Sequence, residues 1–276
     1  MTGSYLLAGV SFRVDSQLPF DDGRFAGYTY SGGPDVTVSL SVSDVIGVPQ
    51  CAPTKLLPDK SVYMLHGGGC RLLFHEGERV YASSVCTSGA VSVTCLRGKE
   101  NYFSSAKAIF AHIGFERTLA LHGAVLLHAS LVLTERGGIL FSGPSGTGKT
   151  TQAMLLERSG AGRMINGDRA ALRADGAPTA HGLPYSGSSD RFERGDAPVR
   201  AVVFPVKGAE NKLDRVSPSE AFRMIYSECT AFPWDASAAA SAADVISAVC
   251  KEVPVYRYTA TKEPASADYL RAELLC

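Results

Sequence analysis

Short runs of alternating hydrophobic and polar residues dominate the first hundred positions of the chain. Such runs, when turn residues and prolines separate them, are typical of half-buried β-strands. The segments predicted as strands are Tyr5–Val14, Asp35–Val42, Ser61–Leu65, Arg71–Phe74, Arg79–Ser84 and Ala90–Leu96. Because this region has little helical periodicity and no catalytic motif, we predict a β-rich N-terminal module over residues 1–100, which serves either substrate recognition or packing.

The hydrophobic period changes after residue 100. Apolar residues three to four positions apart predict a connecting helix over Asn101–Arg117. Beyond it, the predicted strands are Ala124–Leu133, Gly138–Ser142, Arg163–Asn166, Val199–Val206 and Val253–Thr259. The predicted helices are Lys149–Arg158, Pro218–Phe232, Ser237–Lys251 and Ala265–Leu275. Residues 101–276 are therefore predicted to form an α/β domain.

Composition and charge narrow the class of protein. The chain has 276 residues, 45% of them hydrophobic and 20% charged, which is typical of a folded globular protein. Twenty-seven basic residues balance 27 acidic ones, so no global positive field attracts nucleic acid or an anionic membrane, and neither is expected as a partner. The N-terminus resembles no signal peptide, no stretch approaches about 18 apolar residues, and the seven cysteines form no Cys-x-x-Cys pair. We expect a cytoplasmic protein.

A phosphate-binding motif follows the apolar run that ends at Phe141. Residues 143–150, Gly-Pro-Ser-Gly-Thr-Gly-Lys-Thr, match the P-loop pattern at every position and precede a predicted helix. In such a loop the backbone N–H groups surround phosphates, the lysine neutralises them, and the hydroxyl after it can ligate Mg²⁺. The predicted nucleotide-binding residues are Gly143, Ser145, Gly146, Thr147, Gly148, Lys149, Thr150 and Thr151.

A histidine is predicted beside this loop. If Thr134–Gly138 is a hairpin turn, Leu133 pairs near Ile139, and His128 then lies opposite about Pro144. It shares a strand face with Ser130. Such an imidazole could contact the transferring phosphoryl group, bind a metal or move a proton, whereas the alternative is a core histidine bonded to backbone.

An acid and a group of cations complete the candidate chemistry. Asp168 follows the strand Arg163–Asn166 and could hold Mg²⁺ together with Thr150, act as general base, or be a turn aspartate. The loop from His181 to Gly187 precedes two arginines, and the candidate substrate-binding residues there are Ser186, Arg191 and Arg194. A solvated loop with salt bridges is the alternative.

Other motifs are rejected as sources of function. His66, Cys70 and His75 have ligand-type side chains, but the glycines between them suit a turn equally well. Residues 211–214, Asn-Lys-Leu-Asp, spell the guanine-binding pattern of switch GTPases, yet no other switch element accompanies them. Protein-kinase signatures of the His-Arg-Asp and Asp-Phe-Gly type are absent from the sequence.

These motifs, in this order, resemble those of the HPr kinase and phosphoenolpyruvate carboxykinase superfamily, and most closely its small HPr-kinase-like members. The likeness covers roughly residues 120–260 and includes Leu127–Ser130, the hairpin, the P-loop, Asn166–Arg169, Leu183–Gly187, Ala201–Val206 and Ser217–Phe222. The resemblance implies a mixed sheet with flanking helices, and ATP bound with Mg²⁺ on the P-loop. Family members often have two adjacent acids where this chain has Gly167 and Asp168.

The resemblance implies an ATP- and Mg²⁺-dependent kinase that acts on a hydroxyl, with Lys149, His128 and Asp168 as catalytic residues. Some small relatives phosphorylate a precursor peptide, including lasso-peptide precursors, so a serine of a small protein or peptide is the expected acceptor. Two alternatives stay open: a nucleotide-binding regulatory or scaffold protein, supported by Gly167, and a kinase of a small metabolite. The sequence leaves open the acceptor's identity, a homo-oligomeric state and any reverse dephosphorylation.

Overall fold

The computed structural model describes residues 1–185, 190–230 and 232–276, and over these residues the chain forms two compact units. Unit 1 comprises Met1–His122 and Phe232–Ala239, and unit 2 comprises Gly123–Ala231 and Ala240–Cys276. The fold class is confirmed: the structure is mixed α/β with a strand-rich N-terminal part and flanking helices. The sequence placed a boundary near residue 100, whereas the units divide after His122, because the helical segment between these points packs with the N-terminal strands.

Unit 1 is built on one mixed sheet. Its strands are β1 (Thr2–Leu7), β2 (Val10–Ser16), β3 (Val36–Ser43), β4 (Lys55–Leu56), β5 (Lys60–Met64), β6 (Cys70–Glu76), β7 (Arg79–Cys86) and β8 (Ala90–Leu96). The order across the sheet is β1-β2-β3-β8-β7-β6-β5-β4. Strand β3 runs parallel to β2 and β8, and the other pairs are antiparallel.

Two predictions for this region were wrong in detail. The run predicted as one strand from Tyr5 to Val14 is a hairpin, because Ala8 and Gly9 take positive φ angles of 51° and 74° and reverse the chain. The single helix predicted over Asn101–Arg117 is a 3-10 helix at Glu100–Phe103 followed by α1 (Ala106–Ala111) and α2 (Phe115–Leu121). Gly114 separates α1 from α2 with φ 61°, which a helix interior does not allow.

Aromatic side chains fill the core of unit 1. Phe110 of α1 lies with its ring centroid 5.7 Å from Tyr5, 5.1 Å from Phe12 and 4.8 Å from Phe25. All of these side chains are at most 1% exposed. Edge-to-face and tilted ring pairs of this kind add to the stabilisation that apolar burial supplies. The sheet and the helical segment are therefore held by one cluster.

Unit 2 contains the remaining strands and most of the helices. The strands are β9 (Ala124–Thr134), β10 (Gly137–Ser142), β11 (Arg163–Asn166), β12 (Arg169–Arg173), β13 (Thr179–Gly182), β14 (Asp196–Lys207), β15 (Lys212–Arg215) and β16 (Val255–Ala260). The helices from residue 123 onwards are α3 (Lys149–Arg158), α4 (Pro218–Glu228), α5 (Ala236–Glu252) and α6 (Ala265–Leu275). The sheet order is β10-β9-β12-β13-β14-β16-β15, with β11 also paired to β9 and β10 to β14. Strands β12, β13 and β15 were not predicted.

The predicted hairpin forms between β9 and β10. Gly138 pairs with Leu133 and Ser142 pairs with Ala129, which is one residue from the register expected from the sequence. His128 therefore lies in the middle of β9, opposite the point where β10 ends and passes into the P-loop, and its carbonyl accepts a hydrogen bond from Ser142 Oγ at 3.0 Å. The two apolar runs and the short turn between them were sufficient to predict this neighbourhood.

Parallel pairing brings further loops to the same edge of the sheet. Strand β14 runs parallel to both β10 and β16, so the C-terminal ends of these strands lie together. Helices α3 and α6 cover a core beneath them. That core consists of Val132, Ile139, Phe141, Ala153, Leu156, Met164, Ala201, Val203, Tyr258, Ala260, Leu270 and Leu274. The edge that carries the P-loop is therefore supported by packed hydrophobic side chains.

Helix α4 ends four residues earlier than predicted. Its last residue is Glu228, because the next residues become extended and pair with β9. Cys229 forms a bridge with Leu127, and Thr230 N donates to Leu126 O at 3.0 Å. This pairing places the C-terminal end of α4 beside His128. None of the helices among the described residues is long and apolar enough to cross a membrane.

Candidate functional site

The P-loop joins β10 to α3 and depends on glycine. Gly143, Gly146 and Gly148 have φ angles of 134°, 82° and 113°, which side chains with a Cβ rarely adopt. Lys149 folds back over the loop, and its Nζ donates to Gly143 O at 2.7 Å and to Pro144 O at 3.0 Å. Burial lowers the pKa of Lys149, and the nearby carboxylates of Glu228 and Asp168 oppose that shift.

A cavity of about 280 Å³ lies over this loop. Its lining brings together almost every residue that the sequence singled out for phosphate chemistry, together with the C-terminal ends of β14 and β16. The lining residues are His128, Ser145, Gly146, Thr147, Gly148, Lys149, Thr150, Thr151, Gln152, Gly167, Asp168, Lys207, Ala260, Thr261 and Lys262. Gly143 lies at the base of the loop and lines a neighbouring cavity instead.

His128 lies between two carboxylates. Its Nε2 is 3.4 Å from Asp168 Oδ1, and its Nδ1 is 3.3 Å from Glu228 Oε2. The imidazole is 35% exposed, whereas the Glu228 side chain is 11% exposed. The ring therefore faces the cavity, and its described partners are acidic side chains rather than the backbone groups expected for a core histidine.

Asp168 follows the C-terminal end of β11, as predicted, and lies in the two-residue break before β12, which also pairs antiparallel with β9. Ala129 N donates to Asp168 O at 2.9 Å. Asn166 organises this break: its Oδ1 accepts from the N–H groups of Asp168 and Arg169 at 2.9 and 2.8 Å. Its Nδ2 donates to Leu183 O and Tyr185 O at 3.0 and 2.6 Å. Because Asn166 is fully buried, these bonds fix the backbone that carries Asp168.

Hydroxyl groups tie this acidic segment to the P-loop helix. Gly167 O accepts a hydrogen bond from Ser130 Oγ at 2.8 Å and another from Thr150 Oγ1 at 3.2 Å. The Thr150 hydroxyl and the Asp168 carboxylate thus line one cavity from two different segments. They are hard oxygen ligands of the type that Mg²⁺ prefers.

These oxygens fit a Mg²⁺ ion that also takes phosphate oxygens and water. Among the described residues, no group of three or more His, Cys, Asp and Glu side chains could hold a metal ion by itself. Magnesium in phosphoryl-transfer sites is usually held by one or two carboxylates plus the phosphates of the substrate. Thr150 and Asp168 match that arrangement.

The sequence analysis missed several residues of this cavity. Lys207 is the last residue of β14, and Thr261 and Lys262 directly follow β16. The rule that ligands bind at the carboxyl ends of parallel strands could have found all three. Thr261 is held in place by buried polar groups, since Gln152 Nε2 donates to Thr261 O at 2.7 Å. Glu228 had no comparable signal, because it lies 100 residues from His128 along the chain.

The described residues of the predicted arginine loop do not line the P-loop cavity. Arg191 pairs with Glu157 of α3, with Nη1 3.2 Å from Oε1, and neither Arg191 nor Arg194 is among the lining residues. Ser186 falls outside the described residues. His181 lies in β13 and not in a loop, and burial lowers its pKa. These positions stay predictions as substrate contacts, without support from the cavity's geometry.

The residues that spell a guanine-binding pattern have structural partners. Asn211 Oδ1 accepts from Thr261 N at 3.0 Å and from Tyr258 OH at 3.1 Å. Lys212 and Asp214 form an ion pair with each other at 2.7 Å. Residues 212–215 form strand β15. This segment therefore supports the loop at Thr261 rather than a base-recognition site.

Comparison with known proteins gives little independent information. No family model matches the chain, and no curated protein matches it. Among solved structures, the chain is similar to the Hpr(Ser) kinase/phosphatase from Coxiella burnetii, with a TM-score of 0.31 and 12% sequence identity. The match covers 53% of this chain and 93% of that structure.

Proposed function

We propose that unit 2 is an ATP- and Mg²⁺-dependent phosphotransferase that acts on a hydroxyl group, with a serine of a small protein or peptide as the acceptor. The observation that carries the proposal is the shared cavity: a P-loop with its lysine and threonine faces His128 and Asp168 across about 280 Å³. A P-loop alone is compatible with many nucleotide-binding proteins. The histidine and the acid beside it are the groups that transfer to a hydroxyl needs.

Phosphate binding falls to the loop amides and the lysines. Lys149 exchanges its bonds to Gly143 O and Pro144 O for phosphate oxygens, because an anion competes well for a buried ammonium group. Lys207 and Lys262 add positive charge at the open side of the cavity. Mg²⁺ held by Thr150 and Asp168 would neutralise charge that develops on the phosphates.

Asp168 and His128 handle the acceptor. Asp168 accepts the proton of the acceptor hydroxyl while the oxygen of that hydroxyl bonds to the γ-phosphorus. The bond from this phosphorus to the β,γ-bridging oxygen breaks, and ADP leaves. His128 presents Nε2 at the same point, 3.4 Å from Asp168 Oδ1. Glu228 contacts the other ring nitrogen and fixes the ring's orientation, in the way that a second carboxylate orients a catalytic imidazole.

A second candidate is a nucleotide-binding regulatory protein. Gly167 favours it, because this glycine occupies the position where the resembled family often has a second acid, and Asp168 is left as the acid of this turn. Such a protein binds ATP through the same loop and changes state without transferring a phosphoryl group.

One experiment separates the two candidates. A fluorescent ATP analogue is titrated with and without Mg²⁺ into the wild type and Lys149→Ala, and candidate acceptor proteins and peptides encoded beside the gene are then incubated with ATP and Mg²⁺. Intact-mass spectrometry detects the added phosphate. Transfer by the wild type and not by Lys149→Ala supports the kinase. Tight Lys149-dependent binding without transfer supports the regulatory protein, and absence of binding contradicts both.

A further inference from the structure

A second cavity lies on the other side of His128 and Asp168. It has a volume of about 340 Å³, and its lining residues are Leu126, Leu127, His128, Asp168, Arg169 and Thr230. Within the lining residues, it shares His128 and Asp168 with the P-loop cavity and contains no residue of the P-loop. These two side chains thus lie between a cavity suited to phosphates and a cavity of different composition.

Regular strand pairing builds this second cavity. Arg169 is the first residue of β12 and pairs directly with His128 of β9, so the two side chains project from the same face of the sheet. Leu126 lies two residues before His128 and shares that face. Thr230 closes the cavity's side through its bond to Leu126 O. The position of Arg169 relative to the candidate catalytic groups is therefore set by sheet register and not by a loop.

Arg169 has unused hydrogen-bonding capacity. Its side chain is 48% exposed, and among the described residues its acidic partner is Asp168, with Nε 3.7 Å from Oδ2, beyond hydrogen-bond distance. A guanidinium group carries five N–H donors in a planar arrangement that matches a carboxylate. In this structure those donors point to no protein acceptor within the described residues.

The location of Arg169 favours a role in binding the phosphoryl acceptor rather than the nucleotide phosphates. The positive charges that line the P-loop cavity belong to Lys149, Lys207 and Lys262, whereas Arg169 does not line it. In-line transfer places the acceptor hydroxyl opposite the leaving oxygen, beside the group that accepts its proton. The second cavity reaches His128 and Asp168 without any residue of the P-loop, so an acceptor bound there meets these two side chains without occupying the phosphate site.

We propose that the second cavity binds the phosphoryl acceptor, and that Arg169 binds a carboxylate carried next to the reactive hydroxyl. The acceptor class is then a serine or threonine with an acidic group close by in the chain, either an Asp or Glu side chain or a terminal carboxylate. This inference rests on the proposed function. A charge-assisted pair with Arg169 holds the hydroxyl beside Asp168 and selects acidic acceptors over neutral ones.

The test uses a set of serine peptides as the probe. Each carries Asp, Asn or Lys at one position from three residues before the serine to three after it, and each is made with a free and an amidated C-terminus. Transfer from radiolabelled ATP is measured with wild type, Arg169→Lys, Arg169→Glu and Arg223→Glu. Arg223 is a matched control, because it is an exposed arginine on α4 outside both cavities.

The wild type is expected to prefer Asp over Asn, or the free over the amidated terminus, by about tenfold in kcat/KM. Arg169→Glu should shift the preference to Lys peptides, Arg169→Lys should keep part of the acidic preference, and Arg223→Glu should behave as wild type. The position of the effect distinguishes a side-chain carboxylate from a terminal one.

Several outcomes would overturn the inference. One is equal rates for Asp and Asn peptides, whether the C-terminus is free or amidated. Another is an unchanged peptide preference in Arg169→Glu. A third is a loss of activity in the Arg169 variants that appears as a raised KM for ATP with every peptide. Failure to phosphorylate any peptide also overturns it. In that case Lys149-dependent binding and hydrolysis of ATP, measured without peptide, shows whether the proposed phosphotransferase survives for another acceptor.

Discussion

Buried polar groups serve different purposes in the two units. In unit 1, Arg117 and Asp235 are 3% and 4% exposed and form an ion pair with Nε 2.6 Å from Oδ2. Asp235 also accepts from Ser237 N and Ala238 N at the start of α5. In unit 2, Asn166 and Gln152 bond to loop backbones that line the P-loop cavity. The same requirement, that a buried polar group be paired, stabilises a fold in one unit and positions a site in the other.

The two sheets differ in a related way. In unit 1, most neighbouring strands are antiparallel and are joined by short turns, so loops are distributed along the sheet's ends. In unit 2, parallel strands β10, β14 and β16 end together, and the segments that follow them all reach one cavity. The comparison teaches that the site depends on strand direction as much as on the P-loop motif itself.

Breaking the buried ion pair of unit 1 should give the largest effect on stability. Arg117→Leu leaves the Asp235 carboxylate buried without its partner, which typically costs about 3–5 kcal/mol. We expect the free energy of unfolding, measured by urea denaturation, to fall by this amount, and the Arg117→Leu/Asp235→Leu double variant to recover part of it. Nucleotide affinity of the folded protein should not change. A parallel loss of affinity would contradict the division of roles between the units.

Removing the P-loop lysine should abolish function and leave the fold intact. Lys149→Ala is expected to lower kcat/KM for phosphoryl transfer by about 10²–10³-fold, as loss of one preorganised charge donor does in other sites. Because burial disfavours the charged amine, stability should not fall. Steady-state kinetics and urea denaturation of the same sample measure both effects. Lys251→Ala, an exposed lysine in the last turn of α5, is the control.

Neutralising the Glu228 carboxylate, which contacts Nδ1 of His128, should have a smaller effect on catalysis. Glu228→Gln keeps the side chain's shape but removes the charge that orients the imidazole, so we expect about a tenfold loss in kcat, with KM for ATP nearly unchanged.

The control for this variant lies on the same helix. Glu220→Gln removes a carboxylate of α4 that pairs with Arg257 and should leave kcat unaltered. A kcat identical to wild type in Glu228→Gln would show that Glu228 does not act through the histidine.

The smallest predicted effect is a loss of stability in acid. Burial lowers the pKa of His112 in unit 1 and of His181 in unit 2, so the folded state keeps these rings neutral where the unfolded chain takes up protons. Stability should therefore decline as the pH falls below about 6.5, the usual pKa of histidine, and level off below the lowered values. Denaturation midpoints between pH 7.5 and 5, in wild type and His112→Asn, measure this. An equal decline in both would exclude His112 as a source.

Much of unit 2 could be predicted from the sequence, because its signals are local. Helices α3 and α6 have the predicted bounds, since hydrophobic period and flanking glycine or proline residues act over a few positions. The hairpin register differs by one residue from the count made on the sequence, because β9 and β10 are buried on both faces and show no alternation that would fix the pairing. The short strands β12, β13 and β15 lacked a detectable period and depend on pairing with distant strands.

The sequence by itself determined the fold class, the P-loop and the proximity of His128 to it, because each depends on residues close together in the chain. Only the tertiary structure brought Glu228 to one side of the imidazole and paired Arg169 with His128 across two strands. It also gathered Lys207 and Lys262 at one edge. Such contacts join segments that lie tens of residues apart in the chain, so no local sequence pattern encodes them. They form only when the strands pair in the folded sheet.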